Sequence, residues 1–255
     1  MQIKSIFPEN SNITSQYCKY FYRCEQSSGE ISNLVAGKDP ATKNAGFLDA
    51  TLWANSGYAT IGNGSGNYCT IPPATHDLTL NGYSLILTCR VKKNTVAFPG
   101  AEQYFISSYQ PGVSDGGIIM SCRTNGAVGF YARTADGSAT IGGQTTANVL
   151  TDGANANERS IVVMYPRETS VHAFIGVDGV PNVDYAATNS AGKSLAGGRN
   201  MQIGVPIGGG TIAAYQIAAF AAYQIPVDGA SLNLSLINDW AYRNPGVPMP
   251  DWVFA

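Results

Sequence analysis

Hydrophobic and polar positions alternate with a period of two along much of the chain, the spacing of strands that bury one face. The clearest case is Tyr83-Ser84-Leu85-Ile86-Leu87-Thr88-Cys89-Arg90-Val91-Lys92, which puts Tyr83, Leu85, Leu87, Cys89 and Val91 on one side. Further runs cover Gln103 to Tyr109, Gly117 to Cys122 and Gly126 to Arg133, with Asn125-Gly126 as a hairpin signal. Arg159 to Tyr165 and Val171 to Val177 pair across Pro166-Arg167-Glu168-Thr169, and Asp178-Gly179 supplies a tight turn. Met201 to Val205 and Tyr215 to Tyr223 complete the set. Turn signals recur about every ten residues, the rhythm of a sandwich or barrel.

The two ends depart from this pattern. Near the C-terminus Leu232, Leu236 and Trp240 fall at helical spacing with Ile237 beside them, with Asp228 or Ser231 as cap and Asn244-Pro245-Gly246 as stop. Residues 1–45 are expected to form an irregular N-terminal arm ahead of a sandwich over 46–255. The arm carries Tyr17, Tyr20, Phe21 and Tyr22, and two readings stay open: these rings pack on the sandwich, or they dock a partner. The tail with Trp252 and Phe254 poses the same choice between its own core and a neighbouring subunit.

Composition narrows the function classes. Charged residues make up 13% of the chain, about half the usual share, so uncharged polar groups must cover the surface. A net charge of −2 attracts neither nucleic acid nor an anionic membrane. No stretch approaches the roughly 20 apolar residues of a membrane span, and the first residues do not read as a signal peptide. The expectation is a protein made in a cytosol. Five scattered cysteines read as plain thiols, although Cys18 and Cys24 are close enough to pair or to share a metal.

The run Arg159 to Tyr165, followed by Val171 to Val177 and Asp178-Gly179, resembles the strand pair ending in V-D-G of concanavalin A-like and laminin-G-like sandwiches. Asn200 to Gly204, then Ile217 to Tyr223 and a short helix, is similar to that family's closing segment, and Tyr83 to Val91 to its early strand. The resemblance spans residues 46–244. It implies an all-β, two-sheet antiparallel β-sandwich of the jelly-roll kind with one short C-terminal helix. Gly- and Asn-rich chains of this look are similar to tailed-bacteriophage virion proteins, where the sandwich sits in tail fibres, tail tips or capsid decorations. The function so implied is a virion structural protein, located in the virion, partnered by sister subunits (a homotrimer) or other virion proteins, and adhering to a host-surface glycan. The alternative is a stand-alone carbohydrate-binding module.

Catalysis is not expected. Glycosidases that the family resemblance brings in carry a Glu-x-Asp-x-x-Glu strand, since retaining hydrolysis needs two carboxyls about 5 Å apart. No such run occurs, and no two of Glu9, Glu25, Glu30, Glu102, Glu158 and Glu168 lie within four residues. His76 and His172 are the whole supply for a triad, no Gly-x-Ser-x-Gly elbow precedes a helix, and Ala191-Gly192-Lys193-Ser194 lacks the first glycine of a phosphate loop. The resemblance brings in Ca²⁺ as a candidate cofactor held by rim loops, with Asp115, Asp152, Asn155, Asn157 and Asp178 as ligands; the turn explains Asp178 equally well. For a glycan, Tyr109, Tyr131, Arg133 and Asp136 offer stacking and hydrogen bonds. The competing reading makes Tyr131 a core residue and Asp136-Gly137 a simple turn.

Overall fold

The computed structural model describes residues 16–23, 33–35, 40–43, 59–61, 69–71, 78, 83–93, 102–108, 117–133, 140–145, 158–165, 172–186, 201–203, 215–226, 232–244 and 247–254. The strands are β1 (Cys18–Arg23), β2 (Thr42–Lys43), β3 (Ala59–Ile61), β4 (Cys69–Thr70), β5 (Tyr83–Lys93), β6 (Gln103–Ser107) and β7 (Gly117–Cys122). They continue with β8 (Val128–Arg133), β9 (Thr140–Gln144), β10 (Glu158–Tyr165), β11 (His172–Val177), β12 (Val180–Ala186), β13 (Gln202–Ile203) and β14 (Tyr215–Pro226). The first sheet runs β1-β14-β5-β10-β11-β12, with β3 also on β14; the second runs β2-β4-β13-β6-β7-β8-β9. Every pairing among the described residues is antiparallel. The chain is thus an all-β, two-sheet antiparallel sandwich with one short C-terminal helix.

The inner faces meet in one core. Leu85, Leu87, Cys89 and Val91 of β5, read off the alternation, pack with Ile161 and Val163 of the first sheet. Phe105, Ile118, Met120 and Phe130 face them from the second. The fifth residue of that stripe, Tyr83, is only half-buried at the strand's start.

The first sheet is covered on its outer face as well. Ile86, Val162, Met164, Ala221, Tyr223 and Ile225 pack under helix α1 (Leu234–Arg243) and the 3₁₀ turn Asp251–Phe254. The Tyr223 hydroxyl accepts from the Met249 N–H at 3.1 Å and so pins the tail to β14. Each fully buried Ile, Val or Phe contributes about 1.5–3 kcal/mol here. Double burial also explains why β14 reads as an almost unbroken apolar run.

Two expectations are corrected. The segment expected to be an irregular arm contains β1 and β2, and β1 pairs with β14 from Cys18↔Tyr223 to Arg23↔Ala219. Tyr20 and Tyr22 point into the inter-sheet core and Phe21 into the outer cluster. A strand with large apolar residues on both faces shows no period of two, so its sequence hides it. The helix differs too: its N-cap is Asn233, whose Oδ1 accepts from the Leu236 N–H at 3.1 Å. The proposed caps, Asp228 and Ser231, lie outside the described residues. Its buried side is Ile237 and Asn238, while Leu232, Leu236 and Trp240 flank it half-buried. Asn238 can turn inward because it lies on Gly176, where a Cβ would stand 2.0 Å from its amide atoms.

Candidate functional site

The second sheet presents a cluster of polar side chains on its outer face. The β7–β8 hairpin builds it. Arg123 donates its N–H to Ala127 at 2.9 Å, the Asn125 side chain accepts from the Ala127 N–H at 3.1 Å, and Gly126 takes a φ of 75°. That left-handed turn position favours glycine and holds Arg123 just past β7, two residues beyond Ser121. Ser121 lies opposite Gly129 of β8 and Tyr104 of β6, and Glu102 enters immediately before β6.

The hydrogen bonds converge on one carboxylate oxygen. Ser121 Oγ donates to Glu102 Oε1, and Arg123 Nη1 reaches the same oxygen at 3.4 Å. Arg123 Nη1 also donates to the Tyr131 hydroxyl at 2.7 Å, with the guanidinium carbon 5.9 Å from the ring centroid. Gly129 is the floor: a Cβ there would lie 2.7 Å from Ser121 Oγ, 3.0 Å from Arg123 Cδ and 3.2 Å from Glu102 Oε1. The Arg123 and Glu102 side chains are 33% and 26% exposed. Among the described residues Glu102 Oε2 and Arg123 Nε and Nη2 make no hydrogen bond. The cluster therefore offers one acceptor and two donors beside a half-buried phenol ring.

Tyr131 is the glycan candidate that the structure places in this cluster. It is not a core residue, as the competing reading had it; its neighbours Phe130 and Ala132 fill the core instead. Arg133 is two positions along β8, opposite Gly117 and Thr140. Tyr109 and Asp136 lie outside the described residues. The residues that sequence reasoning missed are Glu102, Ser121, Arg123 and Gly129. The Asn125-Gly126 turn does imply that Ser121 faces Gly129, but no sequence signal brings Glu102 alongside.

The remaining candidates fall elsewhere. Asp178 sits at φ 50° in the turn after β11; its Oδ1 accepts from the Ser160 N–H at 2.9 Å and its Oδ2 pairs with Arg159 at 3.1 Å. Both oxygens are thus engaged by the turn and its neighbour strand. Asp115, Asp152, Asn155 and Asn157 lie outside the described residues. Of the docking aromatics, Tyr20, Phe21, Tyr22 and Phe254 are buried, and Tyr17 packs edge-on to Phe254 at 5.9 Å. Their folded positions correct the docking reading in favour of packing. Trp252 differs: it is 58% exposed and stands edge-on to Trp240 at 5.2 Å.

No family model and no curated relative matches the sequence. Solved structures do. The binding domain of Paraclostridial Mosquitocidal Protein 1 has a TM-score of 0.66 at 10% identity, covering 89% of this chain and 53% of that one. The botulinum neurotoxin type G receptor binding domain has 0.59 at 14%, covering 89% and 51%. A Trypanosoma rangeli sialidase has 0.54 at 15%, covering 87% and 32%. The likeness is one of fold. The chain spans about half the length of the first two structures.

A cavity beneath α1, lined by Thr88, Arg90, Ser160 and Asn244 among others, measures about 30 Å³. That is one water's volume, far below the roughly 300 Å³ where small-molecule sites begin. It is a packing gap, and the outer face of the second sheet remains the better candidate.

Cys18 is a free, buried thiol. Burial pushes its pKa up to about 12, against a hydrogen bond with Tyr223 that lowers it. The group is therefore unreactive at neutral pH, since the thiolate is the nucleophile. Cys24 lies outside the described residues.

Proposed function

We propose that this chain is a non-enzymatic, lectin-like recognition sandwich that binds a host-surface glycan through the outer face of its second sheet. The observation that carries the reading is the Glu102–Arg123–Tyr131 cluster, with unengaged donors and an acceptor held over Gly129. A single partly exposed ion pair at 3.4 Å stabilises a fold by about 1 kcal/mol, and its unengaged donors and acceptor are what a recognition role would use. Two structures sharing the fold are a binding domain and a receptor binding domain, which agrees with such a role. A glycan array probed with the full chain should give hits that vanish on Arg123→Ala; an array at background would end the glycan reading. Release of new reducing ends from polysaccharides would overturn the non-enzymatic part.

The setting proposed for this sandwich is a tailed-phage virion, displayed outward on a capsid or tail. The sequence resemblance supports it, and Trp252 supplies an exposed aromatic for a sister subunit or another virion protein. Light scattering tests it: an assembly that falls apart on Trp252→Ala is expected. A chain that stays monomeric at every concentration would instead favour a stand-alone carbohydrate-binding module.

A further inference from the structure

The bonding inside the cluster also restricts which sugars it accepts. We infer that Glu102 and Arg123 form a subsite for a vicinal diol of an uncharged sugar, and that the same pair turns acidic sugars away. This rests on the recognition reading above and adds the ligand class to it.

Glu102 Oε1 is engaged by Ser121 and Arg123, which leaves Oε2 as the acceptor. Arg123 Nη1 is engaged by Glu102 and Tyr131, which leaves Nε and Nη2 as donors. A hydroxyl both donates and accepts, so adjacent hydroxyls fit this pair without leaving either charge unmatched. One donates to Oε2 and the other accepts from Nη2, and both bonds are charge-assisted. Ser121 is buried beneath the carboxylate and positions it.

An anionic group would also suit Nε and Nη2, but Glu102 decides against it. The carboxylate lies 3.4 Å from Arg123 Nη1, so an anion on Nε and Nη2 would share one guanidinium with a like charge and find the Arg123 charge already matched. Tyr131 adds an apolar surface. Its cross-strand partners are Ile119 of β7 and Gly142 of β9; the glycine brings no side chain to the ring on that side, and a half-buried ring beside hydrogen-bonding groups suits the C–H face of a pyranose.

The test is amide chemical-shift mapping and calorimetry on the full chain. The probes are methyl mannopyranoside, methyl galactopyranoside, their monodeoxy analogues, and the matching methyl uronates. Binding of a neutral glycoside should shift Ser121, Arg123 and Gly129 and weaken by roughly tenfold when either hydroxyl of the diol is removed. Glu102→Gln should lose a similar factor for the neutral glycoside and gain affinity for the uronate, while its melting temperature reports that it folds. Uronates binding the wild-type chain as well as or better than the neutral sugars would overturn the inference and leave the recognition reading standing. Binding that shifts a different surface would overturn the inference and the placing of the site on the second sheet, leaving only glycan binding by the chain. Silence from every carbohydrate would end both.

Discussion

The two sheets share one core through their inner faces and differ on their outer ones. On the first sheet, α1 and the C-terminal turn lie over Ile86, Val162, Met164 and Tyr223, an apolar contact in which the Tyr223 hydroxyl is bonded to the tail and the Asn238 amide is buried without a hydrogen bond among the described residues. On the second, Glu102, Arg123 and Tyr131 stand partly open to solvent over a glycine floor. Each face uses one glycine for a close approach. Gly176 admits Asn238 of the helix, and Gly129 admits the ends of Ser121, Arg123 and Glu102. The contrast separates stability from recognition: a covered face adds burial, and the partly exposed polar patch of Glu102, Arg123 and Tyr131, beside the buried Ile119 and Ser121, keeps hydrogen-bonding atoms for a ligand.

The comparison can be broken most severely at the covered face. Ile237→Ala removes a fully buried side chain between α1 and the sheet and should cost about 2–5 kcal/mol in denaturant unfolding. A loss below about 1 kcal/mol would mean that the helix is not seated on the sheet. Gly176→Ala comes next. Its Cβ would stand 2.0 Å from the Asn238 amide and 2.1 Å from its Cγ, so the helix must lift or Asn238 must leave, at about 1–3 kcal/mol. An unchanged melting curve would contradict that packing.

Alkali should act on the same face. Burial raises both the Cys18 thiol, from 9.0 to about 12, and the Tyr223 hydroxyl. A folded pKa above the unfolded one means that the folded chain holds its proton longer. The stabilisation is therefore whole below pH 9 and declines as pH rises toward 12. Between about pH 8 and pH 10, Cys18 alone should cost on the order of 1 kcal/mol. Cys18→Ser should flatten that slope in urea melts at stepped pH; an unaltered slope would place the cause elsewhere.

The smallest stability effect belongs to the open face. Gly129→Ala meets the buried Ser121 Oγ at 2.7 Å, which must change rotamer, and the ends of Arg123 and Glu102, which can swing toward solvent, so unfolding should change by about 1 kcal/mol. The variant should nonetheless lose glycan binding, because Glu102 and Arg123 can no longer converge. A variant that binds normally would remove Gly129 as the floor of the site.

Much of this architecture is legible along the chain. The inward stripe of β5 from Leu85 to Val91, the Asn125-Gly126 hairpin and the Asp178-Gly179 turn all follow from period and turn chemistry. β1 does not, because aromatics face both sides of it. The helix stripe with Ile237 does face the sheet, and what the spacing misses is Asn238, which turns inward because Gly176 leaves it room. Glu102 escapes for another reason. β6 and β7 shift register between Tyr104 and Ile106, and such a bulge leaves no mark in the alternation while deciding which residue stands beside Ser121.

By itself, then, the sequence determined that this protein is made of alternating strands, where several of them turn, and that one helix closes the chain. Only the tertiary structure decided which outer face is covered and which four side chains meet on the open one. Period two assigns residues to a face. What covers that face, and which distant strand lies next to it, depend on register and layer packing, which are properties of the assembled sheets.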